Sequence, residues 1–261
     1  MKILRKLQEY LDNNHEVVLA TVVDAQGSTP GRKAFKMIIA DDGTFYGTVG
    51  GGAIEYEVVE SGRRLLKDKS NLFKVFNLND INMACGGNIT VFFEYIANAK
   101  TLYILGGGHV GQAIEPIANS LGFKITVLDD RKEVTTRELH PFADEIICGE
   151  FYETIENMKI NNPAYVVVLT NKHLHDGDCL RALLQKECEF EYIGMIGSKR
   201  KIKICLDELE KGGINREKID KIYTPVGLDI GGDTPAEIAV GIMAELIALQ
   251  YGKNVPHMKN R

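Results

Sequence analysis

The chain has 261 residues with 31 basic against 36 acidic side chains, a net charge of −5; 44% of residues are hydrophobic and 26% charged. That balance is ordinary for a folded globular chain and excludes a disordered tail, a collagen or a coiled-coil rod. No bulk basic field draws it to nucleic acid.

At about 150 residues per domain, the length allows one large domain or two modest ones. Glycine stands out at 26 residues, against 7 prolines and no tryptophan. Met1–Lys6 is basic, but Gln8, Glu9, Asp12 and Asn13 break up the next stretch, so no secretory signal is expected. The apolar runs are strand-length, as in Tyr165–Leu169, and no transmembrane insertion is expected. The five cysteines, Cys85, Cys148, Cys179, Cys188 and Cys205, form no CxxC pair and an odd count. They read as reduced thiols of a cytoplasmic protein, not a disulfide framework or structural zinc site.

Ile3, Leu4, Leu7 and Leu11 recur at helical spacing, so a short amphipathic helix opens the chain. Val17–Val23 is a β-branched strand that runs into Gln26-Gly-Ser-Thr-Pro30. Lys36–Ala40 and Thr44–Val49 flank Asp41-Asp42-Gly43 and predict a hairpin. Gly50-Gly51-Gly52 precedes a helix over Ala53–Leu66, with Ile54, Val58, Leu65 and Leu66 on its buried face. An anion could dock on Gly50 and Gly51 at this strand-to-helix junction. Leu72–Leu78 and Ile89–Ile96 predict two more strands around the loop that holds Cys85-Gly86-Gly87. A thiol among backbone donors has a lowered pKa and can ligate a soft metal or carry sulfur. A small buried loop residue is the other reading of Cys85. The remaining cysteines, in or beside apolar elements, read as core filler.

At Lys100 the pattern changes to strand–helix alternation. Strands are predicted at Thr101–Leu105, Lys124–Asp129, Ala143–Cys148, Ala164–Thr170, Glu191–Ile196 and Lys221–Tyr223. Helices are predicted at Val110–Leu121, Phe151–Lys159, Asp178–Glu187, Ser198–Lys211 and Thr234–Tyr251. The whole reads as α/β: a smaller α+β domain over 1–98, then a Rossmann-like parallel-sheet domain over 99–261.

Gly106-Gly-Gly108-His109-Val-Gly111 joins an apolar strand to a helix in the G-x-G-x-x-G pattern. Gly106 allows the tight turn, Gly108 the approach of backbone to a pyrophosphate, and Gly111 the packing of helix on strand. Asp129 lies 23 residues after Gly106, where a ribose-binding acid belongs, and the adjacent Arg131 keeps plain and phosphorylated riboses both open. A scaffold whose glycines serve only packing is the competing reading. His109, at the mouth of the loop, is either a surface side chain or a ligand-facing group that titrates near neutral pH.

Thr170–Asp176 contributes His173, His175 and Asp176 in one loop beyond a strand end, a pattern open to metal binding, anion contact or helix capping. Gly197-Ser198-Lys199 offers a turn, an N-cap and a cation, suited to a phosphate or a pterin phosphate, or else to a capped, solvated helix start. Thr234, Pro235 and Glu237 form a capping-box pattern. Gly231 and Gly232 before it exceed what capping requires and suggest backbone N–H groups open to a ligand.

Together, Leu19–Pro30, Gly50–Glu55, Cys85–Gly87, Gly106–Gly111, Val127–Arg131, Thr170–Asp176, Ile193–Lys199 and Gly227–Ala239 resemble the XdhC/CoxI family, the accessory factors of xanthine dehydrogenase and related molybdenum hydroxylases. The resemblance covers nearly the whole chain. It implies a non-enzymatic maturation factor that binds molybdenum cofactor (molybdopterin), protects it during sulfuration and delivers it to an apo-hydroxylase. A xanthine dehydrogenase-like hydroxylase and a cysteine desulfurase are the implied partners, and Cys85 the implied thiol at the molybdenum. Many members carry a cysteine where this chain has Ala53, so Cys85 would act without a second thiol from that position. The alternatives are an NAD(P)-dependent oxidoreductase, for which no Tyr-x-x-x-Lys pair is present, and a scaffold that docks hydroxylase to sulfurtransferase. A homodimer is expected, with a second copy covering the first domain's small sheet.

Overall fold

A computed structural model describes residues 2–81, 86–171, 173–188, 190–253 and 255; the side chains of His173 and Leu174 fall outside that description. The chain divides into two compact units, Met1–Asn98 and Ala99–Arg261. Among the described residues no helix is long and apolar enough to cross a membrane.

The first unit is an antiparallel sheet in the order β3-β2-β1-β5-β4. Its strands are β1 (Val17–Gly27), β2 (Lys36–Ala40), β3 (Phe45–Gly47), β4 (Leu72–Asn77) and β5 (Gly87–Ile96). Side chains alternate across a strand, so β1 and β2 feed two cores. Val18, Ala20, Val22, Met37 and Ile39 pack with Ile54, Val58 and Leu65 of helix α2 (Ala53–Asp68). Val17, Leu19, Ile38 and Ala40 meet Ile3, Leu7, Tyr10 and Leu11 of helix α1 (Lys2–Asp12). Tyr10 takes the packing place expected of Leu4, which stays 58% exposed.

The second unit is a five-stranded parallel sheet in the order β10-β9-β6-β7-β8. Its strands are β6 (Thr101–Leu105), β7 (Lys124–Asp129), β8 (Glu145–Cys148), β9 (Ala164–Val168) and β10 (Tyr192–Met195). Leu102, Ile104, Val127 and Val167 point to one face, packed with helices α3 (His109–Ser120) and α8 (Pro235–Gln250). Tyr103, Leu105, Leu128 and Val166 point to the other, under α4 (Phe151–Asn157), α5 (His173–Gln185) and α6 (Lys199–Lys211). Burial on both faces explains the uninterrupted apolar strands. The α/β fold class read from the sequence is the one observed.

Some elements differ from expectation. Lys221–Tyr223 is no strand: Tyr223 makes a lone parallel bridge to Gly194, after a four-residue helix α7 (Arg216–Ile219) that no apolar period announces. Helix α5 begins at His173 and not at Asp178. Cys179 and Cys205 are core, but Cys148 ends the edge strand β8 and is exposed, and Cys188 is half-buried.

Helix α8 starts on a complete capping box, with Thr234 Oγ1 accepting from the Glu237 N–H and the Glu237 carboxylate accepting from the Thr234 N–H. Losing one cap hydroxyl costs about 1 kcal/mol. Thr234→Ala is therefore expected to lower the melting temperature by roughly 2–4 °C, read by circular dichroism. An unchanged transition would show that Glu237 carries this terminus alone.

Candidate functional site

The strand order reverses about β6, with β7 on one side and β9 on the other. In open parallel sheets ligands bind at such a switch point, beyond the C-terminal strand ends. The loops after β6, β7, β9 and β10 all emerge there. Those loops and the helix starts that follow them carry Gly106–Gly108, Asp129–Arg131, Thr170 and Asn171, His173 and His175 at the start of α5, and Gly197–Lys199.

The three fingerprint glycines have different reasons. Gly106 has φ +116°, and a Cβ there would lie 2.5 Å from the Leu169 carbonyl oxygen. A Cβ on Gly111 would lie 2.6 Å from the Gly106 oxygen. Those two are packing glycines. Gly108, the N-cap of α3, has an ordinary φ of −71° and nothing within 4 Å of a Cβ position. Of the three, only Gly108 faces open space, and among the described residues no side chain caps the helix there. His109, the first helical residue, is exposed beside it.

Asp129 is 1% exposed and does not present itself to a ribose. Its Oδ1 accepts from the Arg131 backbone N–H at 3.0 Å and from Arg131 Nε at 2.8 Å. Its Oδ2 accepts from the Gly107 N–H at 2.9 Å and from Arg131 Nη2 at 2.8 Å. A carboxylate has about four lone-pair sites, and these donors use them. The ribose reading of Asp129 is corrected accordingly: the side chain is a clasp that fixes the glycine loop. Burial opposes its ionisation, but the hydrogen bonds from Arg131 and Gly107 outweigh it and hold the carboxyl below its ordinary value of 3.8.

Beneath the loop lies a pair that the sequence reading missed. His140 and Glu115 are 0% and 1% exposed, and His140 Nδ1 pairs with Glu115 Oε1. Among the described residues His140 Nε2 has no hydrogen-bond partner, and it sits 2.7 Å from where a Gly107 Cβ would be. The available signal was Glu115 itself. It shares the inward face of α3 with Gly111, Ile114 and Ala118, and a carboxylate on a buried face needs a partner.

Two more helices at glycine-rich junctions also lack a side-chain cap among the described residues. Ser198 occupies the N-cap of α6 without bonding it, and Lys199 follows in the first turn; both are exposed. Gly52 caps α2 with no side chain. By contrast α4, α7 and α8 are capped by Glu150, Asn215 and Thr234. Bare first turns leave N–H groups and the positive end of the helix dipole for an anion.

The α2 junction is filled by the chain itself. Glu55 Oε1 accepts from the Gly51 N–H at 3.0 Å, and the Gly50 N–H goes to Thr48 Oγ1 at 3.1 Å. The expectation of open donors at Gly50 and Gly51 is therefore corrected. Gly197, Gly231 and Gly232 line one pocket of about 180 Å³ with Pro225 and Glu237. That is below the roughly 300 Å³ of ordinary ligand pockets and fits a small group only. Gly232 is a packing glycine, since its Cβ would meet Glu237 Cβ at 2.5 Å; Gly231 has φ +80° and open space.

The His-x-His-Asp stretch is the first turn of α5, not a loop. Asp176 is buried and accepts from Thr170 Oγ1, and His175 Nδ1 lies 3.6 Å from Asp130 Oδ2 with its ring against Phe151. The His173 side chain and the whole of Cys85 lie outside the described residues. Among the described residues, His15, between α1 and β1, and Asp41 and Asp42, in the β2–β3 turn, bring three metal-capable donors together, with His15 Nδ1 2.7 Å from Asp41 Oδ1.

A parallel sheet with a glycine loop at its switch point, preceded by an antiparallel α+β unit, defines a Rossmann-type protein with an added domain. Residues 102–246 match the XdhC Rossmann domain, and residues 10–76 match the XdhC and CoxI family. The chain belongs to the XdhC/CoxI family. It is 33% identical over 262 residues to the uncharacterized protein YqeB of Escherichia coli, covering 98% of this chain and 47% of YqeB. It is 29% identical over 157 residues to a probable xanthine dehydrogenase subunit of Bacillus subtilis, covering 60% of this chain and 45% of that protein. The chain thus spans about half the length of these two relatives. It is 24% identical over 290 residues to the molybdenum cofactor insertion chaperone PaoD of Escherichia coli, covering 95% and 88%. The crystal structure of a Bacillus halodurans xanthine dehydrogenase shares the fold, with TM-score 0.54 and 23% identity over 95% of this chain and 96% of that one.

The glycine geometry separates two neighbouring substitutions. Gly106→Ala is expected to destabilise by about 1–3 kcal/mol through overpacking at a positive φ, whereas Gly108→Ala leaves stability within about 0.5 kcal/mol. Urea unfolding tests this, and equal losses at the two positions would refute it. Asp129→Asn is expected to cost roughly 1.5–3 kcal/mol near neutral pH, the scale of hydrogen bonds to a charged group. Because the native carboxyl is depressed, its contribution is complete above 3.8 and is lost as pH falls through the native value. The gap between wild type and Asp129→Asn should therefore close only below pH 3.8. A gap that closes near neutrality would disprove the clasp.

Proposed function

We propose that this protein is a maturation factor for a molybdenum hydroxylase of the xanthine dehydrogenase type, binding molybdenum cofactor as cargo in the cytoplasm and handing it on. The observation that carries the reading is the bare, open start of α3 at Gly108 on the sheet's switch-point edge, in a chain similar along 95% of its length to a molybdenum cofactor insertion chaperone. The pterin's phosphate suits the N–H groups at Gly108 and His109, where the helix dipole favours an anion. The exposed first turn of α6, with Ser198 and Lys199, supplies a second anion contact on the same edge, and Gly197 and Gly231 border it. His173 begins α5 there. Cys85 is the residue for the molybdenum itself, a thiolate being a suitable soft ligand. Ala53 offers no second thiol, so Cys85 acts alone. A cysteine desulfurase is the matching source of sulfur.

The Asp129 clasp weighs against the alternative, an NAD(P)-dependent oxidoreductase, because a ribose hydroxyl would have to displace Arg131.

The test is to express the chain in a host that makes the cofactor and to assay the purified protein for pterin by fluorescence and for molybdenum by mass spectrometry. Wild type is expected to carry both. Cys85→Ser should keep pterin and lose molybdenum, and Gly108→Ala, a structurally neutral change, should lower both at least tenfold. Wild type that carries neither would sink the proposal.

A further inference from the structure

Helix α6 carries its charges in the order that its dipole disfavours. Lys199, Arg200, Lys201 and Lys203 crowd the start, and Asp207, Glu208 and Glu210 follow towards the C-terminus, before Lys211. A helix is stabilised by acids at its N-terminus and cations at its C-terminus, so this order costs stability. Lys199–Lys203 is also the one five-residue stretch of the chain with four cations, and no acid lies between Tyr192 and Leu206. All four cations are exposed, and among the described residues none of their side chains makes an ion pair or a hydrogen bond. At about 100° per residue, Lys199, Arg200, Lys203 and Ile204 share an outward arc of about 140°. Ile202, Cys205 and Leu209 are buried on the opposite side. Ile204 is 50% exposed, next to Arg200 on that arc.

A second feature adjoins this face. Ile196 and Gly197, just before the helix, line the pocket of about 180 Å³ together with Val226, Leu228, Ile230 and Ile238. Its two acids are engaged: the Glu237 carboxylate belongs to the capping box, and Asp229 has a partner within the chain. A mostly apolar hole of that size admits one side chain and no drug-sized ligand. An anion held at Ser198 and Lys199 leaves Arg200, Lys201, Lys203, Ile204 and the pocket without a role. An acidic polypeptide segment with one apolar side chain uses them all, because its carboxylates meet the cations and its anchor fills the pocket. An apolar anchor inside a charged rim is the usual build of a protein interface, and clusters of cations read acidic motifs. A nucleic acid fits less well: single strands bind by stacking on aromatic side chains, α6 presents none, and the chain carries a net charge of −5.

We propose that the basic face of α6 and the adjoining apolar pocket form a docking site for an acidic segment of a partner protein, anchored by one aliphatic side chain. The inference stands on this surface alone and does not depend on the cargo proposed above. Arg63 and Arg64, an exposed basic pair on α2 in the first unit, provide the control surface.

Fluorescence anisotropy on the full chain at low salt is the experiment. The probe is a fluorescein-labelled peptide of six glutamates around a central leucine. Matched probes replace the leucine by serine, or the peptide by a hexathymidylate oligonucleotide. The leucine peptide is expected to bind, and to bind more weakly as salt rises. Arg200→Glu/Lys203→Glu should raise its dissociation constant at least tenfold, while the melting temperature holds or rises because acids near a helix start suit the dipole. The serine peptide should bind wild type at least threefold more weakly than the leucine peptide. Arg63→Glu/Arg64→Glu makes the same change in net charge and should leave binding within twofold. No binding of the leucine peptide, binding unmoved by the α6 reversal, an equal loss in the α2 control, equal affinity for the serine peptide, or tighter binding of the oligonucleotide would each overturn the proposal.

Discussion

The structure depends on one recurring interaction: a carboxylate of the chain's own accepting the backbone N–H groups of a glycine-rich junction. Asp129 holds Gly107, Glu55 holds Gly51, Glu245 holds Gly227, and Glu237 holds Asp233 and Thr234. Glycine gives these junctions their positive φ and close approaches, and in doing so exposes backbone donors that must be paired. A nearby acid supplies that pair and pins a segment that would otherwise have many conformations. At Asp129 the acid is pinned in turn by Arg131, so the fingerprint loop is held from its side. From below it rests against His140.

The same satisfaction divides glycine loops that look alike in sequence. Where an internal carboxylate already sits, as at Gly51, the helix start is closed to an outside anion. Where none does, as at Gly108 and Ser198, the first turn stays open. The open turns lie on one edge because the parallel sheet sends every strand's C-terminal end the same way. A ligand reading of the edge therefore rests on what the protein leaves unpaired, and no longer on glycine content.

Much of this was legible beforehand. Strictly apolar strands such as Ala164–Val168, alternating with helices, could only pack in a sheet covered on both faces. Thr234, Pro235 and Glu237 announced their helix start because capping is local chemistry. The first turn of α5 was not legible. His173–Asp178 has no apolar period; Asp176 is fixed by Thr170, six residues back across the turn, and the His175 ring by Phe151 from another helix. Tyr223 looked like strand because β-propensity is blind to whether a ladder neighbour exists beyond one bridge.

The sequence by itself determined the alternation, the fingerprint and the α/β class, since each rests on contacts within a few residues or on a period that only one kind of packing can bury. It also placed Asp129 at a fixed distance from Gly106. Tertiary structure alone decided what Asp129 does there, because a carboxylate's role follows from which donors reach it, and Gly107 comes from 22 residues away. The buried pair of Glu115 and His140, 25 residues apart, and the grip of Glu245 on Tyr192 and Gly227 belong to the same class. Polar groups taken out of water must find partners wherever the fold brings them, and that matching is written in space rather than along the chain.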